Sequence, residues 1–350
     1  MGGNALKQYQ TTRLPAKQYF KLVDEFSNQF EAVFGFRPIL IKAYAAKKSF
    51  GDADFIVPAD LLPTNWTLRL KAGFALAAEQ YVKNSNVVSI GYSNFQIDLI
   101  VTAAEDVQAS VFYFAYNDFG NLIGRIGHKL GIKIGHRGIS VVVRQRDRSD
   151  HILKEIYLTK DVGEALDILG LDRATYDAGF DTLEDIFKYV ASSKYFDPDI
   201  YSLEHRSATS RVRDKKRETY SKFLQWIAYT KPEAKHNFAD KSELGGYGLR
   251  MPYYQTEVLT RYPWVAQEVK TLVEDFELDL KFKEVYNGEI VAAMTGFTHK
   301  TLGAFMAKMK PRITRELKLL WVAQPRLAAH NINQLFMDVG GKTFHVDGSD

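Results

Sequence analysis

The sequence predicts an α+β fold, with strands and helices mixed over its first half and helices dominating from about residue 150 onward. Three observations carry this. Short apolar runs rich in β-branched residues stand between turn residues, as at Phe55-Ile56-Val57 and Ile97-Asp98-Leu99-Ile100-Val101. Phe20, Val23, Phe26, Phe30 and Phe34 recur every three to four residues, the period of one helix face. Tyr220, Phe223, Leu224 and Ile227 repeat that period in the second half, where strand-like runs are sparse.

Taken in order, the phenylalanine stripe predicts a helix over about 16–34, broken by Gly35, with a strand over Phe36 to Lys42. A turn at Ser49-Phe50-Gly51 leads into a strand that starts at Asp52. Pro58 and Pro63 mark a loop, and a helix is expected over about 66–82. Val87–Gly91 and Phe95–Thr102 read as a hairpin around Tyr92-Ser93-Asn94. Asp118 to Leu130 reads as a helix closed by Gly131. Ile139–Val143 is a β-branched strand, and Ile156-Tyr157-Leu158 suits another. Asp161 to Glu164 and Asp181 to Glu184 fit capping boxes. A helix is expected near 209–229, then a long loop over Lys231 to Pro252. Helices follow to about 338, and the polar, glycine-rich end from Gly340 reads as a flexible tail. The expected domains are 1–105, 106–200 and 201–340, with 341–350 as the tail.

Composition narrows the chemistry. In 350 residues, 46 Lys and Arg oppose 42 Asp and Glu, a formal charge of +4. That is mildly basic, so a nucleic-acid partner needs the charge to be clustered. Two clusters exist: Arg144, Arg146 and Arg148, and Arg206, Arg211, Arg213, Lys215, Lys216 and Arg217. The second is read as crowding a helix start. There is no cysteine, which excludes disulfides, thiol catalysis and cysteine-bound zinc and fits the cytoplasm. No apolar run approaches the roughly 18 residues of a membrane helix, and no secretory signal is visible, so no membrane partner is expected. His128, His136 and His299 show no metal spacing. Phosphate-loop and dinucleotide fingerprints are not seen.

The stretch with the most chemistry is Ser49-Phe50-Gly51-Asp52-Ala53-Asp54-Phe55-Ile56-Val57. Side chains two apart on a strand share a face, so Asp52 and Asp54 stand side by side. Adjacent carboxylates repel unless a cation lies between them, and oxygen-only donors suit Mg²⁺ (or Mn²⁺). Asp98 is a third acid, set in an apolar strand where an unpartnered carboxylate is costly. The plainer alternative makes Asp52 and Asp54 turn residues and Asp98 a satisfied buried acid.

Phe50 to Val57 followed by Phe95 to Val101 resembles the nucleotidyltransferase superfamily of DNA polymerase beta. Tyr113-Phe114-Ala115-Tyr116-Asn117-Asp118-Phe119-Gly120-Asn121-Leu122-Ile123-Gly124-Arg125 is similar to the family-X segment with a Tyr-Phe pair, then Asn and Arg on the next helix. Lys129-Leu130-Gly131, Gly138-Ile139 and Glu164 to Leu171 extend the likeness over about 35–172. It implies a palm with a mixed β-sheet over 1–105, a thumb-like α/β subdomain over 106–200 and a helical C-terminal domain. Asp52 and Asp54 would bridge two Mg²⁺ or Mn²⁺ ions, and Asp98 would hold the ion that activates an acceptor 3′-hydroxyl. Tyr113 and Phe114 match positions beside the nucleotide sugar; Asn121 and Arg125 match positions near the base and the paired strand.

The family's Gly-Ser before the catalytic strand is replaced here by Ile41-Lys42-Ala43-Tyr44-Ala45-Ala46-Lys47-Lys48. Lys42, Lys47 and Lys48, with Ser49 and Gly51 on the turn, are therefore the expected triphosphate contacts. Tyr116 stands where the family has a glycine after the Tyr-Phe pair. Asn287 to Phe305 is similar to a helix-turn-helix segment in bacterial tRNA nucleotidyltransferases and poly(A) polymerases. The whole chain resembles nucleotidyltransferases encoded by large bacteriophages. The implied activity is metal-dependent transfer of a nucleotide from an NTP or dNTP to a DNA or RNA 3′-hydroxyl, releasing pyrophosphate. Transfer to tRNA, another RNA or a protein side chain stands as an alternative, as does a non-catalytic nucleic-acid-binding relative.

Overall fold

Helix α1 (Ala16–Phe34), entered from β1 (Leu14–Pro15), organises the first layer. Its stripe buries Tyr19, Leu22, Val23, Phe26 and Phe30, and Gly35 closes it in the left-handed conformation at φ 86°, donating to Glu31 O at 2.7 Å. The structure is a computed structural model that describes residues 5–144, 151–204, 207–238 and 258–338.

The next elements are β2 (Ile39–Leu40), β3 (Ser49–Phe50), β4 (Asp52–Pro58), α2 (Trp66–Gly73), β5 (Tyr81–Asn84), β6 (Val87–Tyr92) and β7 (Phe95–Thr102). β1 and β3 form a small pair. The main sheet is mixed, in the order β2-β4-β7-β6-β5. β4 and β7 run parallel, and the remaining neighbours are antiparallel. The β6–β7 hairpin turns through Ser93 and Asn94, both at positive φ (50° and 59°), as a tight two-residue turn requires. One face of the sheet carries Ala53, Phe55, Val57, Val88, Ile90, Ile97 and Leu99 into a core shared with α1. The other face also has buried Ile56 and Ile100, and α3 (Val107–Phe114) packs against β4.

Then come α4 (Phe119–Lys129) and an antiparallel sheet of β8 (Lys133–Gly135), β9 (Gly138–Arg144) and β10 (Ile152–Thr159), in the order β10-β9-β8. Helices α5 (Val162–Ile168), α6 (Arg173–Ala178), α7 (Leu183–Ser192), α8 (Ala208–Lys215) and α9 (Glu218–Thr230) follow, with a single turn α10 (Leu259–Arg261). The packing divides the chain between Arg261 and Tyr262; the boundaries expected at 105 and 200 fall inside the first unit. The second unit holds α11 (Pro263–Val285), α12 (Gly288–Thr295), α13 (His299–Met309), α14 (Arg315–Ala323) and α15 (Pro325–Asp338). Its own core gathers Phe282, Tyr286, Val291, Phe305, Met309 and Trp321.

Several expected elements differ, each for a visible reason. The strand over Phe36 to Lys42 shrinks to β2, because the chain beyond it turns to other partners. Lys42 O accepts Tyr116 N–H at 2.7 Å, and Ala45 and Ala46 donate to Phe180 O and Asp181 O at 2.9 and 2.8 Å. The helix over 66–82 ends at Gly73, Ala75 takes a positive φ of 50°, and Tyr81 to Asn84 pairs with β6 instead. The helix near 209–229 is two helices, broken at Lys216 and Arg217. Its basic residues Arg213 and Lys215 therefore occupy the last turn of α8, where the helix dipole favours cations, and not a helix start. The second capping box forms one residue later, between Thr182 and Asp185. Part of the loop over Lys231 to Pro252 and the tail from Gly340 lie outside the described residues.

Candidate active site

β4 and β7 bring three acids together. In their parallel register Asp54 stands opposite Asp98, and Asp52 stands opposite Gln96. Paired residues on neighbouring parallel strands face the same side, and residues two apart share a face. Asp52, Asp54, Gln96 and Asp98 therefore mark the corners of a small quadrilateral, with strands about 4.8 Å apart. The local reason is alternation. Ala53, Phe55, Ile97 and Leu99 point into the α1 core, which turns the intervening acids to the other face.

The acids crowd like charge onto that face. The Asp54 carboxyl is pushed up to about 8, first by burial and then by Asp52 and Asp98, with Lys47 pulling it back. Burial also raises Asp98; hydrogen bonds from Ser89 and Gln96 oppose that rise, and Asp52 adds to it. Gln96 Nε2 donates to both Asp98 oxygens, at 3.0 and 2.9 Å.

A cavity of about 550 Å³ opens at Asp52 and Asp54, within the usual size of a small-ligand site. Lys47, Lys48, Ser49 and Gly51 line it. Lys47 Nζ donates to Asn117 Oδ1 at 2.9 Å and lies 4.5 Å from the centre of the Phe50 ring. Burial lowers the Lys47 ammonium, while Asp52 and Asp54 hold it up. Arg13, Asn117, Asp118, Glu218 and Lys222 also line the cavity, and pattern reading missed all five. Arg13 donates to Ser49 O and Oγ, both at 3.2 Å, and Arg217 pairs with Asp118. These partners come from distant parts of the chain, and no local motif announces them.

The other expected residues lie elsewhere. Asp98 adjoins the cavity through Asp54 and is not part of its lining. Lys42 lines a neighbouring cavity of about 380 Å³. Tyr113 and Phe114 sit on α3 in edge contact with each other at 5.1 Å, and Phe114 stacks on His136. Asn121 has a buried Nδ2 without a hydrogen-bond partner. Arg125 donates to Ile200 O at 2.8 and 3.2 Å, which ties α4 to the 198–201 turn. Tyr201 and Tyr220 are buried. Arg146, Arg148 and Arg206 lie outside the described residues.

Among the described residues, no three acidic or histidine side chains are drawn into a ready-made metal cage. The donor set nevertheless fits a hard divalent ion. It is all oxygen, and Asp54, raised first by burial and then by Asp52 and Asp98, is a carboxyl that a cation would hold ionised. Comparison with protein-family models and with curated proteins finds no match.

Proposed function

We propose that this protein is a metal-dependent nucleotidyltransferase, moving a nucleotide from an NTP or dNTP onto a nucleic-acid 3′-hydroxyl with release of pyrophosphate. The observation that carries this reading is the β4–β7 register, which sets Asp98 opposite Asp54 with Asp52 two residues away on the same face. Asp52 and Asp54, with Asp98 behind them, would hold Mg²⁺ or Mn²⁺. When bound, such ions supply Lewis acidity for the acceptor hydroxyl and charge neutralisation for the phosphates. Arg13, Lys47 and Lys48 bring positive charge to the cavity for a triphosphate, while Lys222 is paired there with Glu218. The bond formed joins the acceptor oxygen to the α-phosphorus; the bond broken joins that phosphorus to the departing pyrophosphate.

The test incubates the full chain and Mg²⁺ or Mn²⁺ with each labelled NTP and dNTP. Single-stranded, gapped and tRNA acceptors, and the protein itself, are offered in turn. The expected result is an extended nucleic acid with matching pyrophosphate. Asp54→Asn and Asp98→Asn should each lower the rate at least about a hundredfold. Label on protein alone would reassign the acceptor. No product and no pyrophosphate with any acceptor would overturn the reading.

A further inference from the structure

Asp98 is clamped from one side by an amide whose own orientation is set elsewhere. Gln96 Nε2 donates to both Asp98 oxygens, and Gln96 Oε1 accepts the Ala5 backbone N–H at 3.0 Å. A side-chain amide has one donor end and one acceptor end. If it flipped, Oε1 would face the carboxylate and the NH₂ would face the Ala5 N–H. Gln96 is only 2% exposed, so water cannot readily replace either bond.

The segment that supplies Ala5 is fastened along its length. Leu6 is 4% exposed. The Tyr9 hydroxyl accepts the Asn94 N–H at 3.0 Å, and a Cβ on Gly91 would run into the Tyr9 ring. Thr12 N–H donates to Asn94 O at 2.8 Å, and Arg13 reaches Ser49 at the cavity. Residues 5–13 thus form a strap from Gln96 to the rim of the site.

The geometry points to Gln96 as a positioning residue, with the N-terminal strap acting through Ala5 to fix the plane in which the Asp98 carboxylate is offered to a divalent cation. This rests on the reading of Asp52, Asp54 and Asp98 as the metal-binding acids. One nitrogen shared between two carboxylate oxygens uses a single lone pair on each, and Ser89 bonds the same carboxylate, out of about four lone-pair sites that a carboxylate offers. Partners of this kind commonly change metal affinity tenfold to a hundredfold.

The test needs no nucleotide. Mn²⁺ is titrated into the metal-free full chain and followed by electron paramagnetic resonance, for wild type, Gln96→Met and Ala5→Pro. Thermal melting checks that each variant is folded. Gln96→Met should weaken Mn²⁺ binding about tenfold, and Ala5→Pro should weaken it by a smaller factor. In metal-free protein, Ala5→Pro should also shift or broaden the Gln96 side-chain NH₂ signals in ¹⁵N–¹H spectra. If Gln96→Met does not fold, Ala5→Pro decides both readouts. Unchanged Mn²⁺ binding in a folded variant overturns the inference while leaving the site reading intact. Tighter binding also overturns it, since the amide would then be a competitor. Wild-type protein that binds no Mn²⁺ overturns the site reading and this inference together.

Discussion

Asp54 concentrates the electrostatic cost of the site. Its ordinary carboxyl value of 3.8 is raised to about 8 in the folded chain. Between those values the folded state holds a proton that the unfolded state has lost. Stability of the metal-free protein should therefore fall as pH rises from about 4 to about 8, by at most roughly 1.4 kcal/mol per pH unit. Asp54→Asn should flatten that slope and stabilise the protein at pH 8, and Mn²⁺ at pH 8 should recover part of the loss in wild type. Denaturant unfolding across pH 5 to 8.5 measures this; an equal slope in Asp54→Asn would assign the effect to other groups. Lys47 is the second residue to test. Its contact with Asn117 places it in the cavity, near the acids. On the proposed function, replacing Lys47 and Lys48 with Ala should raise KM for the nucleotide more than it lowers kcat. An unchanged KM would put the phosphate site elsewhere, with Arg13 the first alternative.

At the scale of elements, α1 and β4 depend on each other. Phe26 is fully buried and packs on Phe30, Phe55, Phe74 and Tyr92. Phe26→Ala should cost about 3–5 kcal/mol in chemical denaturation, because the cavity left behind cannot collapse against a sheet. A loss below 1 kcal/mol would show the layer to be loosely packed. The end of α8 makes a different prediction. Arg213, Lys215 and Lys216 are exposed, although Arg213 also pairs with the buried Asp214; Arg217 pairs with Asp118. If a nucleic acid runs along this end, changing those three to Gln should reduce the slope of log affinity against log salt by about 2, near 0.7–0.9 per phosphate contact. An unaltered slope would leave these cations as helix-end charges favoured by the dipole alone.

At the scale of the whole molecule, the described residues include one apolar core around α1 and the main sheet and a separate one within 262–338. Separate cores can unfold separately. Trp321 is fully buried in the second core, beside Phe282 and Tyr286. Trp321→Ala should lower the stability of the helical unit by about 3–5 kcal/mol. The transition of the first unit should stay where it is. Calorimetry that shows a single transition, shifted as a whole by Trp321→Ala, would mean that the two cores unfold as one. No helix among the described residues is long and apolar enough to cross a membrane.

Local pattern by itself determined α1, the β6–β7 hairpin and the strands that carry Asp52, Asp54 and Asp98, because period and turn chemistry act within a few residues. The same alternation that buried Phe55 made the shared face of Asp52 and Asp54 legible before any tertiary contact was known. It could not show that β4 and β7 pair in parallel with Asp54 opposite Asp98, since register depends on packing between strands more than forty residues apart in the chain. Nor could it show that Arg125 holds Ile200, that Asn117 and Arg13 border the cavity, or that the basic cluster ends one helix and opens another. Helix 66–82 failed because Gly73 and a positive φ at Ala75 end it, and the pairing of β5 with β6 outweighs helical propensity beyond. The acids are therefore written in the sequence, while their neighbours, and the amide that clamps Asp98, are decided by how distant strands and the N-terminal strap meet.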